Sequence, residues 1–382
     1  MKVAHCSLLI VIMKEMAMEA SSFEFVDRTG LSDPPMKIGA PVVVPKEAIE
    51  NEIRRLASLP TPANGRRVSI IRNPATGVGN GLAHGTAVSL CVLKPGERTK
   101  PIRHDSSQVN FCITGAGHSI IGGKQIVFEQ YDVWNTPSWM VYEHVNDTDQ
   151  LQARLTYSNS ALLEKMNVHV VDEDVTVNAA PADPDEPDHA PASKNPFGTF
   201  ELTSDGGCLM PYEQLINPEV MPYNPLHWPW KLVRQHLDKL TALGKSYVGR
   251  RLYLLYHPAT GRTNGTSNNF FATMCVRPAN ITDKPHRHTA SAINYFFGGS
   301  GYSTVDGKRY TWKAGDLMLT APGWAVHNHS SNDENVYELT IQDSPLNIHM
   351  GSLLWQEDLK HPMEALGATG GFGTNREVVG QP

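Results

Sequence analysis

The sequence predicts an all-β-dominated protein made of two tandem copies of one small barrel or sandwich, each with a short helical annex. Three observations predict it. The chain repeats itself once, at a displacement of 184 residues. Within each copy, short strand-like runs alternate with turns. Charged residues make up only 19% of the 382, against about 25% in an average soluble domain, which favours a turn-rich β protein over a helical bundle.

The duplication is direct. Gly65-Arg66-Arg67 recurs as Gly249-Arg250-Arg251, and Pro74-Ala75-Thr76-Gly77 as Pro258-Ala259-Thr260-Gly261. Residues 65–136 and 249–320 share 24 identities in 72 ungapped positions. The register then slips by one, so that Pro137 and Trp139 match Pro322 and Trp324, and His144 matches His329. A period this long, against the roughly 20–50 residues of stacked repeats, means a duplicated domain and not a solenoid. In the second copy Tyr302–Val305 leads through Asp306-Gly307 to Tyr310-Thr311-Trp312. Asp-Gly between two β-rich runs predicts a hairpin. Leu317-Met318-Leu319 then runs to a stop at Pro322-Gly323. Turns at this beat predict a sandwich or barrel.

Helices are expected over Lys46–Leu59 and Trp230–Leu243, each opened by a proline and carrying apolar residues near i, i+4 and i+7. Each lies just upstream of one β copy. Ala179–Pro196, with five prolines among Ala, Asp and Glu, reads as a solvated linker. The expected divisions are therefore an N-terminal arm and helix (1–64), a first barrel (65–175), a linker with a helical segment (176–248) and a second barrel (249–382).

Composition excludes several classes. The net charge of −6 with no basic block gives no pull toward nucleic acid or an anionic membrane. The apolar run Cys6–Met13 is far short of the ~20 residues of a span and short for a signal peptide. Met13, Met16 and Met18 offer later translation starts. Five scattered cysteines without a CxxC fit buried thiols in a reducing cytoplasm.

Histidine spacing carries the chemistry. Lys284-Pro285-His286-Arg287-His288 precedes a strand, where residues two apart share a face. A second HxH pair follows at His327 and His329. Two hairpins side by side would converge three imidazoles inside the barrel, a donor set suited to Fe, Zn, Cu or Ni.

Pro-x-His-x-His, a turn-rich span with Gly-Asp, and Pro-x-x-x-x-His together resemble the cupin signature, and two such units resemble a bicupin. The details resemble the ring-cleaving bicupin dioxygenases, the gentisate, salicylate and 1-hydroxy-2-naphthoate group: His286-Arg287-His288-Thr289, Gly299-x-Gly301-Tyr302-x-x-Val305-Asp306-Gly307, Gly315-Asp316, and Pro322-x-Trp324-x-x-His327-x-His329. The upstream Pro-Ala-Thr-Gly segments and the stretch from Asn224-Pro225 to Pro229-Trp230 resemble that family too. The resemblance covers about residues 45–360. It implies two double-stranded β-helix (jelly-roll) barrels, Fe(II), O₂ and a small aromatic substrate.

Many cupins carry a Glu shortly after HxH, but Thr289–Asn294 contains no acid. The ligand set implied is His286, His288 and His327, which leaves three positions for substrate and O₂. In the first copy Ile102 stands where His286 does, and Tyr142 where His327 does; only His104 matches a ligand. That copy is expected to be structural, the reverse of the family's usual arrangement, in which the first cupin holds the iron. His329 is expected to act on bound substrate as acid, base or hydrogen-bond partner. Trp324 is expected to wall the pocket, Gln342 to reach the same end, and Asp343 to orient a ligand imidazole. The family's carboxylate-binding Arg is replaced by Asn294. Either Arg277 or Arg309 takes over, or the substrate has no carboxylate there. Alternatives that stay open are another three-histidine oxygenase acting on a thiol or β-dicarbonyl, and a non-enzymatic metal-binding bicupin. Exposed sheet edges imply a homodimer or homotetramer.

Overall fold

The computed structural model describes residues 25–175, 199–212, 223–243, 251–357 and 359–368; the expected linker Ala179–Pro196 and the run Cys6–Met13 lie outside them. Residues 25–37 belong to a unit of their own, and both barrels lie in the second unit, which begins at Ile38.

Each copy is a jelly-roll barrel in which a six-stranded sheet faces a three-stranded one. In the second barrel Phe271–Arg277, Ala292–Gly298, Leu317–Ala321 and Val336–Gln342 lie in the large sheet, while Ser300–Val305, Lys308–Lys313 and His327–Ser331 make the small one. The first barrel repeats this with Ala87–Leu93, Gln108–Thr114, Val133–Thr136 and Gln152–Ser158 against Gly117–Ile121, Lys124–Phe128 and Tyr142–Val145. The expected hairpin forms: Ser300–Val305 and Lys308–Lys313 pair across Asp306 (φ 45°) and Gly307 (φ 77°). Positive φ at both central residues is what a type I′ turn requires.

Strand alternation decides what faces where. Along Ala292–Gly298, Ile293, Tyr295 and Phe297 join an apolar core shared with Val109, Phe111, Leu155 and Tyr157 of the first barrel. Asn294 and Phe296 point the other way, into the second barrel. The Phe111 ring meets Tyr295 at 5.6 Å and Phe297 at 5.5 Å. The two large sheets thus bury their outer faces against each other and leave both barrel interiors lined by the remaining residues.

The helices form as expected, over Lys46–Ser58 and Trp230–Thr241. Ile49 and Leu56, on one face of the first, are buried in the shared core, as is Leu237 of the second. The strands just before them cross over. Val42–Val44 pairs with Leu317–Ala321 of the second barrel, and His227–Trp228 pairs with Val133–Thr136 of the first. The residues expected to form an N-terminal arm therefore complete the sheet of the distant barrel.

A matched pair of aspartates fixes the crossing. Asp316 Oδ1 accepts from the Lys46 amide (2.6 Å), and Asp132 Oδ1 accepts from the Trp230 amide (2.7 Å). Each carboxylate sits at the N-terminus of the other repeat's helix, where the dipole favours negative charge. Its second oxygen closes its own turn, on the Lys313 amide for Asp316 and the Glu129 amide for Asp132. Gly315 (φ 98°) leaves room for this contact, since a Cβ there would come within 2.5 Å of the Lys46 stem. Asp316→Ala is expected to cost about 1–2 kcal/mol, read by urea unfolding, and Asp316→Asn, which keeps only one of the two acceptor oxygens and loses the charge, to recover only part of that loss.

Candidate metal centre

His286 and His327 are direct cross-strand neighbours. The His286 amide donates to the His327 carbonyl (3.0 Å) and the His327 amide to the His286 carbonyl (2.9 Å). His288 lies two residues on, in the strand Arg287–His288. All three are buried, and one ring nitrogen from each lies within 4.8 Å of the other two. Among the described residues this is the one grouping of three or more His, Cys, Asp or Glu able to hold a metal, and it contains no carboxylate.

Second contacts fix the tautomers. His286 Nδ1 donates to the Lys284 carbonyl (3.2 Å), His288 Nδ1 to the Ala290 carbonyl (2.8 Å) and His327 Nδ1 to the Ala325 carbonyl (2.9 Å). Each ring therefore carries its proton on Nδ1 and presents the Nε2 lone pair inward, the orientation that metal-binding imidazoles adopt. The donor set fits a borderline metal such as iron and leaves coordination positions open.

The first barrel shows the same bonding with a different outcome. His104 Nδ1 donates to the Ser106 carbonyl (2.8 Å), as His288 does to Ala290. The Tyr142 hydroxyl then donates to His104 Nε2 (2.9 Å), while Gln108 Nε2 lies 3.1 Å from the same nitrogen. Ile102 and Tyr142 form the backbone bridge that His286 and His327 form in the second barrel. The phenol therefore satisfies the one surviving imidazole, and burial holds His104 down at about 4, so it stays neutral.

Around the three imidazoles, Gln342 Nε2 lies 3.4 Å from His288 Nε2, so this amide reaches the centre. Ser303 Oγ accepts from the Trp312 indole (2.9 Å) and lies 2.8 Å from His329 Nδ1. The same hydroxyl therefore links the Trp312 indole to the His329 ring at Nδ1. The His329 ring lies 6.0 Å from that of His327. Asn294 is buried, donating to Thr340 Oγ1 (2.8 Å) and accepting from Thr320 Oγ1 (2.7 Å).

Other expectations meet a different arrangement. Asp343 does not orient a ligand imidazole: backbone carbonyls hold all three Nδ1 atoms, and Asp343 Oδ1 accepts from the Ser291 amide (2.7 Å). Asn159, its counterpart, does the same for the Ser107 amide (2.9 Å) in the barrel without the ligand set. The contact therefore belongs to the barrel scaffold. Trp324 lies under the Arg287 guanidinium at 4.6 Å, and Arg103 over Trp139 repeats that pair at 4.8 Å. This too is common to both barrels, a cation–π clasp at the lip. Neither basic residue offered in place of the missing Arg is available. Arg277 is held by Asp283 (2.7 Å) and Glu338 (3.3 Å), and Arg309 lies over the Tyr302 ring at 3.9 Å. Spacing alone missed Trp355, which stacks on His288 at 4.6 Å and on His286 at 5.7 Å. Leu354-Trp355-Gln356 pairs with Arg287–His288. The only sequence signal for it was a short β-like run after the last barrel strand.

Residues 89–158 and 272–341 each match the cupin domain family. A 5-aminosalicylate 1,2-dioxygenase from Comamonas sp. is 24% identical over 302 residues, 77% of this chain and 75% of that protein. A gentisate 1,2-dioxygenase from Haloferax sp. is 26% identical over 314 residues, 78% of this chain and 81% of that one. A solved salicylate 1,2-dioxygenase from Pseudaminobacter salicylatoxidans superposes with a TM-score of 0.70 over 92% of this chain and 97% of its own, at 17% identity. With a cupin domain in each barrel, the protein is a bicupin. Over most of its length it is similar to the bicupin ring-cleaving dioxygenases.

Burial pushes Asp343 up to about 6 from 3.8. A raised carboxylate contributes stability that is full below its unfolded value and is lost as pH rises through its folded one. Relative to Asp343→Asn, which imitates Asn159, the wild type is expected to lose roughly 3 kcal/mol between pH 4 and pH 7, at about 1.4 kcal/mol per unit. Urea unfolding at stepped pH measures this.

Proposed function

We propose that the second barrel is the catalytic one and that Fe(II) is held there by His286, His288 and His327. The observation that supports this reading is the set of three buried imidazoles whose Nδ1 protons are all spent on carbonyls, so that three Nε2 lone pairs face one point. Iron held there would supply the one-electron chemistry by which O₂ opens the ring of a hydroxylated aromatic, with both oxygen atoms inserted.

The chain's own residues do the rest. Trp355 braces His286 and His288 from behind, which limits their rotation. The Gln342 amide, beside His288, is placed to donate to an oxygen of the bound substrate. His329, anchored at Nδ1 by Ser303, serves the bound substrate as acid, base or hydrogen-bond partner. Asn294 stands where the family's carboxylate-binding Arg does, with Thr320 and Thr340 taking its amide. A carboxylate at that position would lack the two-pronged pair that Arg makes. The substrate class that fits is therefore a hydroxylated aromatic that binds through adjacent oxygens.

Buried free thiols at Cys91, Cys112 and Cys275 suit a reducing cytoplasm, and no helix among the described residues is long and apolar enough to cross a membrane. The end strands of the large sheets, Arg67–Ile70 and Leu252–Leu254, expose Val68, Ile70, Tyr253 and Leu254. Such edges are commonly covered by a second copy. Sedimentation at micromolar concentration is expected to find a dimer or tetramer, and a monomer would refute this.

The central test compares the two barrels. His288→Ala should lose bound iron and O₂ uptake with hydroxylated aromatics while its unfolding transition stays close to wild type. His104→Ala should keep its iron, and any loss should follow stability, on the order of 1–3 kcal/mol for a buried hydrogen-bonding group. Elemental analysis and anaerobic Fe(II) titration read the metal. Iron retained in the His288 variant would sink the assignment.

A further inference from the structure

The first barrel, which lacks the ligand set, is not filled. A cavity of about 200 Å³ lies inside it, lined among others by Ile102, His104, Gln108, Tyr142, Arg154 and Thr156. That is below the roughly 300–1,000 Å³ of sites for drug-sized ligands, so an occupant must be small. Among the described residues no Asp or Glu lines it.

The charge inside is unusual. Arg154 is 5% exposed, and its one hydrogen bond runs from Nη1 to Gln152 Oε1 (3.2 Å). Its Nε has no partner among the described residues, and no carboxylate pairs with it there. A guanidinium does not lose its proton in a protein, and a buried unpaired charge is costly. The second barrel shows how the fold meets this demand. Arg277 is buried there between Glu338 and Asp283. In the first barrel Thr99 stands in place of Asp283 and Leu93 in place of Arg277. Arg154, paired with Cys91 as Glu338 is with Cys275, replaces the second acid by a base. The positive charge remains, and both carboxylates have gone.

A second orphan faces the same cavity. Gln108 Nε2 donates to the Tyr142 hydroxyl (3.2 Å) and lies 3.1 Å from His104 Nε2, but Gln108 Oε1 is buried with no donor among the described residues. An occupant that satisfies both groups carries a negative acceptor for Arg154 and an O–H donor for Gln108.

We propose that the interior of the first barrel is a binding site for a small hydroxycarboxylate, its carboxylate on Arg154 and its hydroxyl on Gln108. This site is separate from the three-histidine centre and needs no metal. Arg154 and Arg66 also hold His144 well below its ordinary value, after burial, consistent with a positive interior.

The test uses the full chain, freed of metal, with salicylate as probe, benzoate as its hydroxyl-free analogue and chloride as the inorganic control. Calorimetry should find one salicylate site per chain, and salicylate should raise Tm. The same binding should persist in His288→Ala. Arg154→Met should weaken it by about tenfold or more, as loss of a charge-assisted bond does. That variant should also melt above the wild type without ligand, because an uncompensated buried charge is gone. Gln108→Ala should bring the affinities for salicylate and benzoate close together, which decides the matter even if the Arg154 variant does not fold. The proposal is overturned if salicylate does not bind the metal-free chain, if binding vanishes in His288→Ala, if chloride raises Tm as much as salicylate, or if Gln108→Ala keeps the full preference for salicylate.

Discussion

The crossing of the two repeats is the constraint on which the rest of the molecule depends. Asp316 caps the helix that begins at Lys46, and Asp132 caps the one that begins at Trp230, so each barrel holds the N-terminus of the other's annex. The strands before those helices, Val42–Val44 and His227–Trp228, then have one place to go, the open edge of the opposite large sheet. With both sheets so tied, Phe111 and Tyr157 must face Tyr295 and Phe297, and the shared core closes. Strand alternation does the remaining work. Once the outer faces are fixed against each other, every second residue is delivered to a barrel interior.

Those interiors are where the two copies part. The scaffold contacts are kept in both: Asn159 and Asp343 on the loop amides after the HxH segment, Arg103 on Trp139 and Arg287 on Trp324, and Ser119 and Ser303 on His144 and His329. What changes is a handful of inward positions. Ile102 and Tyr142 against His286 and His327 turn a three-nitrogen centre into one imidazole closed by a phenol. Arg154 and Thr99 against Glu338 and Asp283 invert the charge a few residues away. Interior side chains can diverge in this way because they carry little of the packing that joins the barrels.

Much of this was legible in the chain itself. The repeat, its strand-and-turn beat and the two proline-led helices obey local rules: a period of two, a period of 3.6, and turn chemistry such as Asp306-Gly307. The HxH spacing put His286 and His288 on one face for the same reason, and the substitutions at 102 and 142 singled out the second copy. Local rules say nothing about which distant strand completes a sheet or which acid finds which amide. The exchange of Val42–Val44 into the far barrel, the Asp316 cap, the Trp355 brace and the turning of Asp343 toward Ser291 are contacts between residues far apart in the chain. Only the closed fold decided them, because each depends on which groups burial leaves to satisfy one another. The orphaned charge of Arg154 is of the same kind: in the sequence it is one arginine on a strand, and the structure removes its water without giving it an acid.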